Sequence, residues 1–440
     1  MEEPLKEFKT SYTAIFSINY FIQGISQSLF STIIPIYIII QLSALGAGEL
    51  GGFATIVLLP FAVKFIYGII SDKFSSKKLG RRKPWIIGPL IMSGLIWIIL
   101  PFFVTTANVL MLFTIGGVFI VLGIAMADTA IDGLILDNCP KKQLGRVQGI
   151  CWGFRSVGII TGGPLLVLIF YLSGIDIEWI FIGYGIIIIA SSFSVLIVKE
   201  IRVIQNVQVG KNLKLVFGKG KNWTVFAFAL FNAFIDGVIF LFITVFVLFQ
   251  AGIVGFSGGE INIDIIEESI TNQVIYGSSA LVNLIIGLGV IIGAVIGGWL
   301  ADIKSRKLSF YSSMLITTIS LLLFLINTWW GILLFFALLI GASSGWRNSG
   351  FSAIIGQEST QYPEVDVTYY ATCNSFANIG TVIGLTATST IFGLLADMNF
   401  YFQFAVVLIF LAIVSNIGII PFWFMKEEEY ELPEKIGRLD

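Results

Sequence analysis

Where the positive charges stand constrains this chain more than any other feature. Of its 26 Lys and Arg residues, 23 fall at the two ends or in alternate loops between apolar stretches, and the loops in between carry none. Lys64, Arg155 and Arg347 are the exceptions, each inside an apolar stretch. Cationic flanks resist translocation, so loops rich in Lys and Arg stay on the cytoplasmic side of a membrane. The alternation predicts an integral, multi-pass membrane protein with both termini inside and an even number of crossings.

A membrane-spanning helix takes about 20 mostly apolar residues. Twelve such stretches occur, near 12–40, 49–71, 84–104, 108–136, 144–172, 177–198, 222–250, 272–301, 308–327, 329–351, 366–395 and 400–425. They are too long, and lack the period-two alternation, for a membrane barrel. The fold class expected is an all-α membrane protein with twelve transmembrane helices, and the lipid bilayer is its first partner. A prokaryotic cell membrane is the expected location, and a monomer the expected state. The first apolar stretch is too long for a cleavable signal and has no small-residue cleavage site after it.

The rest of the composition mostly excludes. A net charge of −1 gives no footing for nucleic acid, and the absence of His removes the usual group that titrates near neutral pH. Cys139, Cys151 and Cys373 are odd in number and lie in or beside spans, so no disulfide framework is read. No metal-ligand cluster, nucleotide-binding loop or nucleophile–base pair stands out, so neither enzyme, metal nor cofactor is expected.

Two halves are visible. The longest polar inner segment, 199–221, has six spans on either side. It divides the chain into a bundle at 1–198, a cytoplasmic linker at 199–221, a second bundle at 222–425 and a tail at 426–440 that is expected to be cytoplasmic and disordered. Asn19-Tyr20-Phe21-Ile22-Gln23-Gly24-Ile25 in span 1 matches Asn232-Ala233-Phe234-Ile235-Asp236-Gly237-Val238 in span 7 at four of seven positions. Gly158 and Gly162 in span 5 correspond to Gly380 and Gly384 in span 11, and the inner ends of spans 2 and 8 carry Gly68 with Asp72 and Gly298 with Asp302. Both halves begin inside, so the two six-helix bundles form a parallel repeat about an axis along the membrane normal. The acidic outer loop at 251–271 reads as solvated.

Ionisable residues inside spans cost about 2.5–3.5 kcal/mol each on insertion scales, so each is a functional candidate. They are Lys64, Asp128, Asp132, Arg155, Asp236 and Arg347. Asp128 and Asp132 share a helix face; equal depth suits Asp128 to Arg155, and Asp132 to Lys64 near the inner end of span 2. The group either is a structural ion-pair cluster or binds a coupling cation or a charged part of a solute. Asp236 is the best candidate for a protonatable or sodium-coordinating residue, the alternative being a hydrogen bond to a nearby Asn or Tyr. Asn19, Gln23 and Gln27 form a polar stripe in span 1, with Asn232 in span 7 and Asn374 and Asn378 in span 11. In lipid these amides are unsatisfied, so they face inward. They either glue helices together or line a cavity for a polar solute. Arg347 either attracts an anionic solute or snorkels to the inner edge.

At the inner end of span 2, Asp72 can cap the next helix or pair with Arg81 or Arg82, a contact that is strong yet separable. Gly68 would let a neighbouring helix come close. The plainer reading is a cationic loop that only sets topology.

Residues 60–85 run from Pro60 and Lys64 through Tyr67-Gly68-Ile-Ile-Ser71-Asp72 to Gly80-Arg81-Arg82-Lys83-Pro84-Trp85. This stretch resembles the loop between helices 2 and 3 of the major facilitator superfamily. The Gly-Arg-Arg-Lys-Pro-Trp end is similar to the sugar–cation symporter branch. The Pro-x-x-x-Lys segment, and Asp128-x-x-x-Asp132 through Gly145-Arg146 to Trp152, Arg155 and Gly158, resemble the muropeptide-permease, acetyl-CoA-transporter and folate–biopterin branches. The resemblance implies helices 1, 4, 7 and 10 around a central cavity, which favours Asn19, Gln23, Asp128, Asp236 and Arg347 as lining. It implies gates at Lys64, Gly68, Asp72, Arg81, Arg82 and Lys83, and at Gly298, Asp302 and Arg306. The expected function is secondary active transport of a small polar solute, a sugar, glycoside or anionic metabolite, by alternating access coupled to a proton or sodium ion. The alternatives are a non-transporting assembly factor or solute sensor, or a lipid transporter.

Overall fold

The computed structural model describes residues 9–42, 44–74, 76, 78–139, 141–166, 176–199, 209–257, 260–262, 268–362, 365–431 and 436. Among them, ten helices are long and apolar enough to cross a membrane. Two more, Lys141–Ile160 and Arg306–Leu323, stand where spans 5 and 9 were expected. Apolar side chains are turned outward along the helices, as Val295 (67% exposed) and Leu394 (80%) show, and Trp179, Trp329 and Trp423 stand exposed near helix ends. Such a surface fits hydrocarbon bounded by aromatic belts.

In chain order the elements are α1 (Thr10–Ser28), α2 (Ile34–Leu42), β1 (Ala44–Gly46), α3 (Ala47–Ala62), α4 (Lys64–Lys73), α5 (Lys83–Ile99), α6 (Val109–Asn138), α7 (Lys141–Ile160), α8 (Ile177–Ser192), α9 (Val209–Phe217), α10 (Gly220–Asn232), α11 (Asp236–Val238), α12 (Thr244–Gln250), β2 (Gly255–Ser257), β3 (Glu260–Asn262), α13 (Glu268–Ile303), α14 (Arg306–Leu323), α15 (Trp330–Ser359), α16 (Asp366–Leu394), α17 (Phe400–Val414), α18 (Ile419–Trp423) and α19 (Glu427–Tyr430).

The chain divides into two compact units, Met1–Ile34 with Val63–Val209, and Pro35–Ala62 with Gly210–Asp440. Both boundaries in the first two spans coincide with helix defects. A five-residue π-turn, Leu29–Ile33, separates α1 from α2 just before Pro35. Pro60 lies inside α3, which ends before Val63 takes non-helical angles (φ −105°, ψ 21°). A proline within a helix removes one ladder hydrogen bond and crowds the carbonyl four residues back, which accounts for the interruption.

The repeated glycines do the same work in each unit. A Cβ at Gly158 or Gly162 would collide with the backbone of Phe21 or Ile25 on α1, and one at Gly380 or Gly384 with that of Leu230 or Phe234 in span 7. Small residues let two helix backbones touch where lipid gives no hydrophobic drive.

Two expectations need correction. The outer loops are not wholly irregular: β1, β3 and β2 form a three-stranded antiparallel sheet within the second unit, with Leu45 opposite Ile261. Strands of three residues leave no periodic trace in a sequence. The segment after α18 is not disordered where it is described. Tyr430 and Glu431 are buried, at 3% and 1% exposure.

Candidate functional site

Charged and polar groups gather where the helices break. In the first unit Lys64 opens α4 directly after the defect at Val63 and makes an ion pair with Asp128 of α6, whose side chain is only 2% exposed. The Gln23 amide acts on the same carboxylate. Asp132, one turn away, accepts a hydrogen bond from the Tyr20 hydroxyl. Arg155 donates to Gln27 Oε1 at 3.3 Å and reaches Asp128 as a longer-range charge.

The structure therefore brings Asp128, Asp132, Lys64 and Arg155 together: Lys64 makes an ion pair with Asp128 and its charge also acts on Asp132, and the Arg155 charge acts on both aspartates. Lys64 lies nine residues before the end of α4, about 13.5 Å at 1.5 Å per residue.

The span 1 amides divide. Asn19 donates to Ile15 O at 2.9 Å and to Ser194 Oγ at 3.1 Å, tying its helix to the segment after α8. With Gln23, Ser26 and several Ile and Leu side chains it also lines a cavity of about 10 Å³. That is room for about one water molecule, and Asn19 Oδ1 and both amide atoms of Gln23 meet no hydrogen-bond partner among the described residues.

In the second unit, span 7 breaks over Ala233–Ile235, and Asp236 begins α11. Thr381 of α16 donates at 3.1 Å to the Ala233 carbonyl, which also accepts from the Asp236 backbone N–H at 3.1 Å. Arg347 of α15 is 1% exposed, and none of its three guanidinium nitrogens meets a hydrogen-bond partner among the described residues. Asp236 is the charge that acts on it. Asn348 lies against Asp236, yet one carboxylate oxygen of Asp236 stays unpartnered. Both side-chain atoms of Asn232, 1% exposed, are likewise without a partner among the described residues. Arg347 is thus buried and does not snorkel. Asn378 donates to Phe61 O at 3.2 Å, a contact that ties α16 to the end of α3. Asn374 is partly exposed on the same helix.

The two arginines of the expected latch are seated on Asp137 of α6. Arg81 donates to both oxygens of Asp137 at 3.0 Å, and Arg82 reaches Asp137 at 3.2 Å and Ser71 Oγ at 2.7 Å. The Asp72 side chain lies outside the description. Asp137 stands on the last turn of α6 and was passed over because Asp72 is nearer in sequence. Gly68 has only ordinary contact with Thr129 (3.6 Å). The glycine that matters is Gly133, where a Cβ would lie 2.6 Å from the Arg82 guanidinium. Trp85 Nε1 donates to Phe74 O at 2.9 Å across the same loop, which Lys83 leaves as the first residue of α5.

The second copy of this loop differs. Gly298 stands open, with its nearest neighbour Ser349 at 3.9 Å, and Asp302 is exposed. Arg306 donates to Tyr430 O at 2.7 Å and Gln357 Oε1 at 3.2 Å, and its backbone N–H donates to Glu431 at 2.8 Å. Burial pushes the Arg306 guanidinium below its ordinary pKa, against the upward pull of Glu431 and Asp302.

Comparison with known proteins places the architecture. The sequence profile described as Major Facilitator Superfamily matches residues 16–282 and 265–439. A probable folate-biopterin transporter 4 of Arabidopsis thaliana is 28% identical over 151 residues, 33% of this chain and 30% of that protein, so the match spans under a third of the relative's length. The crystal structure of a point mutant of the nucleoside transporter NupG superposes with a TM-score of 0.69 at 13% identity, over 94% of this chain and 100% of that one. A bacterial homolog of the human lysosomal transporter Spinster, inward-facing and unoccupied, does so at 0.61 and 13%, over 95% and 98%.

Proposed function

Because this chain belongs to the major facilitator superfamily, a family and fold of transporters rather than enzymes, we propose that it is a secondary active carrier of a small polar solute, working by alternating access from a twelve-helix body with both termini inside. The observation that carries the solute reading is Arg347. A guanidinium presents five donors in a rigid fork matched to carboxylates and other planar acceptors. Burying one without hydrogen-bonded partners is costly, and a solute group that accepted those donors would relieve the cost. This favours an anionic metabolite or a polar heterocycle over a neutral sugar. The likeness to a folate-biopterin transporter and to a nucleoside transporter points the same way. The proposed coupling ion, proton or sodium, is carried by Asp236 and by the Asp128/Asp132 group.

The test is a thermal-shift panel of pterins, folates, nucleosides, sugars and muropeptide fragments on purified protein, followed by uptake into proteoliposomes. One of the first three classes is expected to stabilise the protein, and Arg347→Gln to abolish that shift. A panel silent throughout, together with no uptake, overturns the carrier reading. Asp236→Asn is expected to abolish gradient-driven accumulation and spare exchange. Accumulation that survives it removes Asp236 from coupling.

A further inference from the structure

Glu358 stands at the inner end of α15, outside every site described above. It is 0% exposed, and neither carboxylate oxygen meets a hydrogen-bond partner among the described residues. Tyr369, also 0% exposed, has its hydroxyl in the same condition and stacks on Tyr362 with ring centroids 4.6 Å apart. The Tyr362 hydroxyl is already spent on Asn222, at 2.6 Å. Cys373, fully buried, completes the surroundings.

The charged groups that act on Glu358 come from two elements. Lys221 lies at the start of α10 and Glu429 in α19. Tyr362, Tyr369 and Cys373 are the other titratable groups that feel it. Lys221, the cation among them, is held at 2.9 Å by Glu429 and at 2.8 Å by Gln361.

The segment that supplies Glu429 is strapped to the same end of the unit. Gln361 donates to Glu429 O at 3.1 Å, Tyr430 packs on Phe422 at 4.8 Å, and Arg306 with its neighbour Lys307 holds Tyr430 and Glu431. Tyr362, Tyr369, Cys373, Met425 and Tyr430 belong to one buried core.

An ionised carboxylate in these surroundings has no donor and no free counter-ion, and it faces a second carboxylate. A neutral acid is tolerated far better in the same place. We propose that Glu358 is a proton-binding site that controls docking of the Lys426–Glu431 strap. With its proton bound, the strap stays down. When the proton leaves, the new charge repels Glu429, competes for Lys221 and draws in water. The strap then lifts and releases Arg306 of the α13–α14 loop. Low inner pH therefore favours the docked strap and high pH frees it. The proposal holds whatever solute is carried, and its test needs no transport.

Cys373 is the reporter. With Cys139→Ser and Cys151→Ser in the full chain, its alkylation by a neutral maleimide is timed at pH 5.5 and 8.0, with and without Glu358→Gln. Dividing one rate by the other at each pH cancels the ordinary pH dependence of the thiol, and the Glu358 charge, which disfavours the thiolate, slows the parent protein and so works against the expected quotient. The quotient is expected near one at pH 5.5 and at least fivefold at pH 8.0. Removing everything after Met425 is expected to give fast labelling at both. A quotient within twofold of one at both values, or truncated protein that labels no faster, overturns the proposal. Hydrogen exchange of residues 426–431 in unaltered protein, corrected for intrinsic rates, tests it without any variant. Protection should fall at least tenfold at pH 8.0, and unchanged protection is equally fatal.

Discussion

Two charged groups inside spans have the same setting and opposite completion. Lys64 follows a helix break and closes directly on Asp128. Asp236 also follows a break, but Arg347, the cation it acts on, keeps all of its donors unmatched among the described residues. The first unit has closed its cation on an anion, with one oxygen of Asp128 left unmatched among the described residues; the second has assembled a cation and an anion and left every donor of the cation unspent. A completed pair gives rigidity, and an incomplete one keeps capacity for a ligand. The two should respond to mutation with opposite signs of stability.

The largest expected effect is at the completed pair. Lys64→Met leaves Asp128 buried with its contact partner gone, at a cost of about 3–5 kcal/mol. Asp128→Asn on top of it should return most of that. A double-mutant cycle on the midpoint of denaturant unfolding in detergent is expected to give a coupling of at least about 2 kcal/mol. A coupling near zero would show that the contact carries no weight. The same cycle on Asp236 and Arg347 should give less than about 1 kcal/mol, because no hydrogen bond joins them.

Next comes the incomplete pair. Arg347→Gln removes a desolvated charge without breaking a contact, so stability should hold or rise by about 1 kcal/mol, while uptake falls by at least about tenfold, the loss expected when a charge-assisted hydrogen bond goes. Gain of stability with loss of function marks a functional site. A fall of several kcal/mol would instead make Arg347 a structural residue and dissolve the contrast.

Much of this was legible in the chain and some was not. Lys and Arg placement and apolar length made the membrane-length helices legible, because they depend on local chemistry, while the breaks beside Pro35 and Pro60 came from the structure. The glycines of spans 5 and 11 betrayed their contacts because close approach demands them. Pairing across helices was harder. Asp128 and Asp132 are one turn apart, so an error of about 5 Å in the relative depth of two helices swaps their partners. Asp137 was hidden by the nearer Asp72, and Glu358 by a span drawn to end at 351. Docking of Lys426–Glu431 rests on buried contacts of Tyr430 and Glu431, which no local pattern announces.

A third test concerns the latch of the first unit. Gly133→Ala drives a methyl group against the Arg82 guanidinium, at a cost of about 1–3 kcal/mol, and should loosen the grip of Arg82 on Asp137. Gly68→Ala meets only Thr129 at ordinary distance and should change stability by less than about 0.5 kcal/mol. Equal effects at the two positions would mean that the arginines are not seated as described.

The smallest effect separates clamp from cavity among the span 11 amides. Asn378 donates to the Phe61 carbonyl close to the end of α3. Asn378→Ala removes one hydrogen bond between two helices and should cost about 1 kcal/mol, with solute affinity unchanged. Asn374→Ala, a change at a partly exposed position, should stay within about 0.5 kcal/mol. Asn374 and Asn378 are four apart on one helix, so any general effect of shortening a polar side chain is shared, and the difference between the variants isolates the helix end. If Asn378→Ala weakens solute binding at unchanged stability, the amide faces the transport path, and the unspent hydrogen-bonding capacity of the second unit extends beyond Asp236, Arg347 and Asn232.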